Sequence, residues 1–174
     1  METMKAIASR KSVRSYKQEQ VPDGVLSTIL KAGCAASVAS GKYDSLHLTV
    51  VQDKEMLKKI SAAVDKALKA MNIKSVILHT APTMILVSSM TPQAPGIDYA
   101  NAGCVLENMV IAATDQGVDS VLFGAAAMAV RANDELRKAL GISDGFNPLL
   151  SVALGYATNP DEPVREHKIS INRL

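Results

Sequence analysis

The stretch Asp98–Gly124, DYANAGCVLENMVIAATDQGVDSVLFG, decides how the remainder of the chain is organised. From Asp98 to Gln116 it is apolar on nearly every face. With Asp98 as its cap and Gly117 as its stop, it describes a helix buried on all sides. Such a helix belongs at the centre of a core or of a subunit interface. VDSVLFG then forms a strand ending at Gly124, and the small residues AAAMAV after it would let a flat ligand approach the backbone closely.

Working outward, two short apolar runs rich in branched residues, Leu46–Val51 (LHLTVV) and Thr83–Ser89 (TMILVSS), are strands, and Leu149–Tyr156 (LLSVALGY) is the last. Amphipathic helices separate them. One is capped at Asp23 after Pro22 and runs to about Ala36 through Leu26 and Ile29. Another follows Asp53 through Met56, Ile60 and Val64, and a third spans Asn133–Leu140 before Gly141. Met1–Ser9 forms a short helix with Met4, Ile7 and Ala8 on one side, and breakers in TPQAPG (91–96) mark a loop. The class is α/β (α+β) in one domain over residues 1–174. A polar tail, 158–174, carries Ile169 and Ile171 in alternation, an extended arm whose apolar side needs cover from a partner subunit.

Composition narrows the function. A chain of 174 residues with 48% hydrophobic and 21% charged residues can bury a core yet is too polar for a membrane protein. The formal charge of +2 and 3% aromatics argue against nucleic-acid binding. The N-terminus lacks the apolar segment of a secretory signal, so a soluble cytoplasmic protein is expected. Cys34 and Cys104 sit in no CxxC pair and near no histidine at ligand spacing; both are expected as small buried hydrophobes, with no metal.

The residues richest in chemistry are Arg10-Lys11-Ser12-Val13-Arg14-Ser15. Guanidinium forks and hydroxyls this close together suit a phosphate, although cations also gather at helix C-termini because the macrodipole favours them. No GxGxxG follows a strand and no GxxxxGK[ST] occurs, so any phosphate must be held by side chains. Arg165 and Lys168 form a second basic group. His47, His79 and His167 lie in no hydrolase motif, and Glu107 is one polar group on a helix expected to be buried.

In order, these segments resemble the nitroreductase family of flavoproteins. IASRKSVRSY is similar to the family's opening Arg-x-Ser-x-Arg-x-aromatic motif, here Arg10, Ser12, Arg14 and Tyr16. VPDGVLSTILKAGCAAS resembles the following helix, with Ala36 where proline is common. DYANAGCVLENMVIAATDQGVDSVLFG resembles the long central helix and the turn after it, and LLSVALGYAT the closing strand.

The resemblance implies a central, mainly antiparallel sheet flanked by helices, in an intertwined homodimer that binds FMN at its interface. It implies hydride taken from NAD(P)H and electrons passed to a nitroaromatic, quinone or similar small organic acceptor. Arg10, Lys11, Ser12 and Arg14 would contact the FMN phosphate and ring, with Arg165 or Lys168 completing the phosphate grip. Leu122, Phe123 and Gly124 would lie against the ring, a backbone N–H near Gly124 serving where an acid or base would otherwise be sought. VASGKYDSLHL replaces the family's Asn and Gln-Pro-Trp-like segment, with Ser37 and Ser40 as partial substitutes. That change also admits an alternative: an FMN-binding or storage protein with little turnover.

Overall fold

The structure is a computed structural model that describes residues 2–73, 81–90, 95–159 and 169–174. Its helices are α1 (Thr3–Ser9), α2 (Asp23–Cys34), α3 (Lys54–Ala70), α4 (Ile97–Asp115), α5 (Gly124–Arg131) and α6 (Asp134–Ala139). Its strands are β1 (Leu46–Val51), β2 (Thr83–Ser89), β3 (Asp119–Leu122) and β4 (Asn147–Gly155). The strands form one sheet in the order β1-β2-β4-β3, every neighbouring pair antiparallel. This is the α+β architecture expected from the sequence.

Strand β2 is buried along its whole length because helices cover both faces of the sheet. Its odd and even residues divide between two cores. Ile85 and Val87 meet α2 and α4 through Leu26, Ile29, Leu106 and Met109. Met84 and Leu86 meet α3, α5 and α6 through Ile60, Val64, Val130 and Leu136. The period-2 side-chain alternation of a strand thus places one helix layer on each side.

The local signals held at several ends. Asp53 accepts from the Met56 N–H at 2.7 Å and Asn133 from the Leu136 N–H at 3.1 Å, each satisfying an N–H that has no partner within its helix. Gly117 and Gly141 lie in the left-handed region just beyond helix ends.

Other expectations need correction. Pro22, not Asp23, holds the cap position of α2, which ends at Cys34 rather than Ala36. Gly96, at φ 81°, precedes α4, so Asp98 lies in its first turn and is not its cap. β3 stops at Leu122, and Gly124 opens α5. In α1 it is Ala6 that is buried, while Met4 and Ile7 are exposed.

Nor is α4 covered on all sides within one chain: Ala100, Cys104 and Glu107 are exposed along one stripe. Both Cys34 and Cys104 are exposed rather than buried. Small residues raise a helix's apolar character on every face, and hydropathy cannot say which face the chain itself covers.

Candidate functional site

The basic segment that follows α1 is pinned to β3, an edge strand. Ser12 bridges Ser120 in parallel, and the Val13 N–H donates to the Ser120 carbonyl at 2.9 Å. Val13 and Tyr16 turn inward, packing with Ala81, Val121, Ala153 and Ala157 and touching Phe123. The Tyr16 hydroxyl donates to the Val13 carbonyl at 2.6 Å, tying the segment into a compact turn. Burial, followed by the charge of Asp119, pushes that hydroxyl well above its ordinary pKa, so it stays a donor.

With Val13 and Tyr16 as anchors, the residues between and before them face outward. Ser12 and Arg14 are exposed and Arg10 and Lys11 are half-buried. Arg14 Nη1 reaches the Ser12 carbonyl at 3.4 Å. Two cationic forks, an ammonium and a hydroxyl therefore sit on one short, anchored segment, an arrangement suited to a phosphate.

The turn after β3 lies at the same sheet edge. Leu122 is 46% exposed, and Phe123 joins the Val13–Tyr16 cluster. The Phe123 N–H donates to the Ser151 carbonyl at 2.7 Å and the Ser151 hydroxyl donates to the Phe123 carbonyl, which fixes the entry into α5. Gly124 is exposed and has no left-handed φ, and a Cβ built there meets only Leu150 Cδ2, at 3.9 Å. No described residue demands glycine at this position. The space above it is open, and the first N–H groups of α5 have no side-chain cap.

Ser37 and Ser40 lie elsewhere. Both are exposed in the segment between α2 and β1, held by Ala39 N–H donating to Asn101 Oδ1 at 3.0 Å and by Tyr43 Oη donating to the Ala36 carbonyl at 3.2 Å. Ser40 has φ 56°, a left-handed conformation that a serine adopts only at a cost. β1 and β3 are opposite edges of the sheet, three strand spacings of ~4.8 Å apart. One chain therefore brings Arg10, Lys11, Ser12 and Arg14 to Leu122–Gly124 but leaves Ser37 and Ser40 at the far edge. Arg165 and Lys168 lie outside the described residues.

Sequence reasoning passed over Asn101 and Tyr43, whose bonds to residues 36 and 39 exist only once α4 and the 36–45 segment are folded together. Among the described residues no group of His, Cys, Asp and Glu could hold a metal ion, and no helix is long and apolar enough to cross a membrane.

Comparison with known proteins identifies the family. The model of the nitroreductase family matches residues 7–156, from within α1 to just past β4. This chain belongs to the nitroreductase family. A protein of Archaeoglobus fulgidus provisionally named NADH dehydrogenase/NAD(P)H nitroreductase is 33% identical over 89% of the chain and 85% of its own length. Among solved structures, a nitroreductase with bound FMN from Desulfitobacterium hafniense has a TM-score of 0.87 at 26% identity, covering 100% of this chain and 99% of that one. Another with bound FMN, from Bacteroides fragilis, has a TM-score of 0.81 at 25% identity, covering 100% and 97%. The nitroreductase fold is thereby shown for this chain.

Proposed function

We propose that this nitroreductase-family chain is an FMN-dependent oxidoreductase that takes hydride from NADH or NADPH and reduces a nitroaromatic, quinone or similar small organic acceptor. The observation that carries the proposal is the pairing of an anchored Arg10–Arg14 segment with an open glycine at Gly124 on one sheet edge. The names of the relatives and the FMN bound in the two solved structures support the same reading.

The residues present fit FMN. Arg10, Lys11 and Ser12 would hold the phosphate, and Arg14 the ring edge. A Cβ at residue 124 would occupy the space that a flat ring needs. Bound FMN would supply the hydride and electron transfer. The chain's part is positional: uncapped N–H groups at the start of α5 offer donors to negative charge on the ring, and no titrating side chain is required.

The site is proposed to be completed by a second copy. Ser37 and Ser40 would come from the partner, since within one chain they sit at the wrong edge. Met4, Ile7, the open stripe of α4 and the exposed tail residues Ile169, Ile171 and Leu174 would be covered in the same homodimer. Arg165 and Lys168, close to those tail residues in sequence, would complete the phosphate grip. Sedimentation at micromolar concentration should give the mass of two chains; a clean monomer would contradict this part.

Anaerobic titration of the FMN-loaded protein with NADH and with NADPH tests the activity. Bleaching of the flavin, followed by recovery on adding a quinone or nitroaromatic, is expected. Retained FMN that neither nicotinamide reduces would instead favour a binding or storage role.

A further inference from the structure

A cavity of 370 Å3 lies between α3, the Gln18–Gln20 segment and the start of β2. Neither the basic segment 10–14 nor Gly124 lines it; among the described residues only Phe123, with Ala81, belongs both to its wall and to the Val13–Tyr16 cluster. It is therefore a separate compartment that abuts the proposed flavin seat. Its volume falls in the range of small-molecule sites.

Its chemistry is polarised. Ile60, Val64, Met84 and Phe123 supply an apolar floor. Along α3, Lys54, Lys58, Ser61 and Asp65 line it at helical spacing, and the eleven-residue step from Lys54 to Asp65 separates their Cα atoms by roughly 16 Å along the helix axis. Lys58 is paired with Glu55 at 2.7 Å. Lys54 has no ion pair among the described residues. Gln20 reaches the Gln52 carbonyl at 3.5 Å and accepts from Thr83 at 2.7 Å, so its amide is already engaged at the Lys54 end. Gln18, Ser61 and Asp65 also have partners, which leaves the exposed Lys54 as the lining cation without one among the described residues.

We propose that this cavity is a second ligand site, for a small aromatic or otherwise flat apolar monocarboxylate whose carboxylate meets Lys54 and whose body lies on Ile60, Met84 and Phe123. An occupant there touches the residue that caps α5, next to Gly124.

The test is calorimetric titration of the FMN-loaded protein with 2-naphthoate, and with neutral 2-naphthamide. One saturable site per chain is expected, at least tenfold weaker for the amide, for Lys54→Gln and for Ala62→Phe, which fills the cavity from an exposed helix position. Lys69→Gln, on the same helix but outside the cavity, should bind as the parent does, and FMN content should be equal in all. No saturable binding, undiminished binding by Ala62→Phe, or displacement of FMN by 2-naphthoate would overturn the proposal. If the protein holds no FMN, the same titration on the colourless protein still reads this cavity, so the two proposals fail separately.

Discussion

The backbone N–H of Val13 donates to the carbonyl of Ser120 at 2.9 Å, and this bond fixes a run of cations beside the turn that opens α5. The anchor is apolar and buried, while the polar groups on either side are exposed or half-buried. Binding and folding should therefore separate under mutation.

Arg14→Ala removes an exposed guanidinium that supports no core contact. A charge-assisted bond to a ligand is worth about 1.5–3 kcal/mol, so FMN should bind roughly 10- to 100-fold more weakly. The melting temperature of the FMN-free protein should hardly move. Quenching of FMN fluorescence and a thermal melt check the two halves.

Gly124→Ala should leave the fold intact or slightly firmer, because its Cβ meets only Leu150 at 3.9 Å and alanine favours helices over glycine by about 1 kcal/mol. FMN affinity should nevertheless fall, since the methyl enters the space proposed for the ring. Loss of stability with unchanged FMN binding would reverse the assignment.

Gly155→Ala should do the opposite. A Cβ there lies 2.8 Å from Pro82 Cδ and 2.9 Å from Tyr16 Cδ1, both on rings that cannot swing away. Overpacking of this kind costs about 1–3 kcal/mol, readable in a urea melt of the FMN-free protein.

Tyr16 gives the protein an alkaline limit. Its hydroxyl is held protonated in the fold, above its ordinary value of 10.0, by burial and then by Asp119. The unfolded chain releases that proton near pH 10, so the contribution is complete below pH 10 and declines above it, by up to about 1.4 kcal/mol per pH unit. Tyr16→Phe should be somewhat less stable at pH 7, having lost the bond to Val13, yet show a shallower decline between pH 10 and 11.

Much of the fold was legible because its signals are local. TMILVSS announces a strand buried on both faces, and Asp53 and Asn133 announce helix starts, since a cap depends on residues three apart. The Arg10–Arg14 segment and the Leu122–Gly124 turn were found the same way, as motifs. What escaped depends on strand order. Nothing near Ser37 or Ser40 states that β2 and β4 lie between β1 and β3, so their separation from Arg10 was invisible. Lys54, Ser61 and Asp65 look like a solvated helix face until the Gln18–Gln20 segment is laid across from them. The exposure of Cys104 was hidden for a related reason: small residues look buried whichever face the chain covers.

The most direct test is the visible absorption spectrum of the freshly purified protein, followed by heat release and chromatography of the chromophore. A flavin spectrum with FMN released at about one per chain is expected if each chain carries one seat, at its β3 edge. A colourless protein that also fails to take up added FMN would contradict the proposed function while leaving the nitroreductase fold in place.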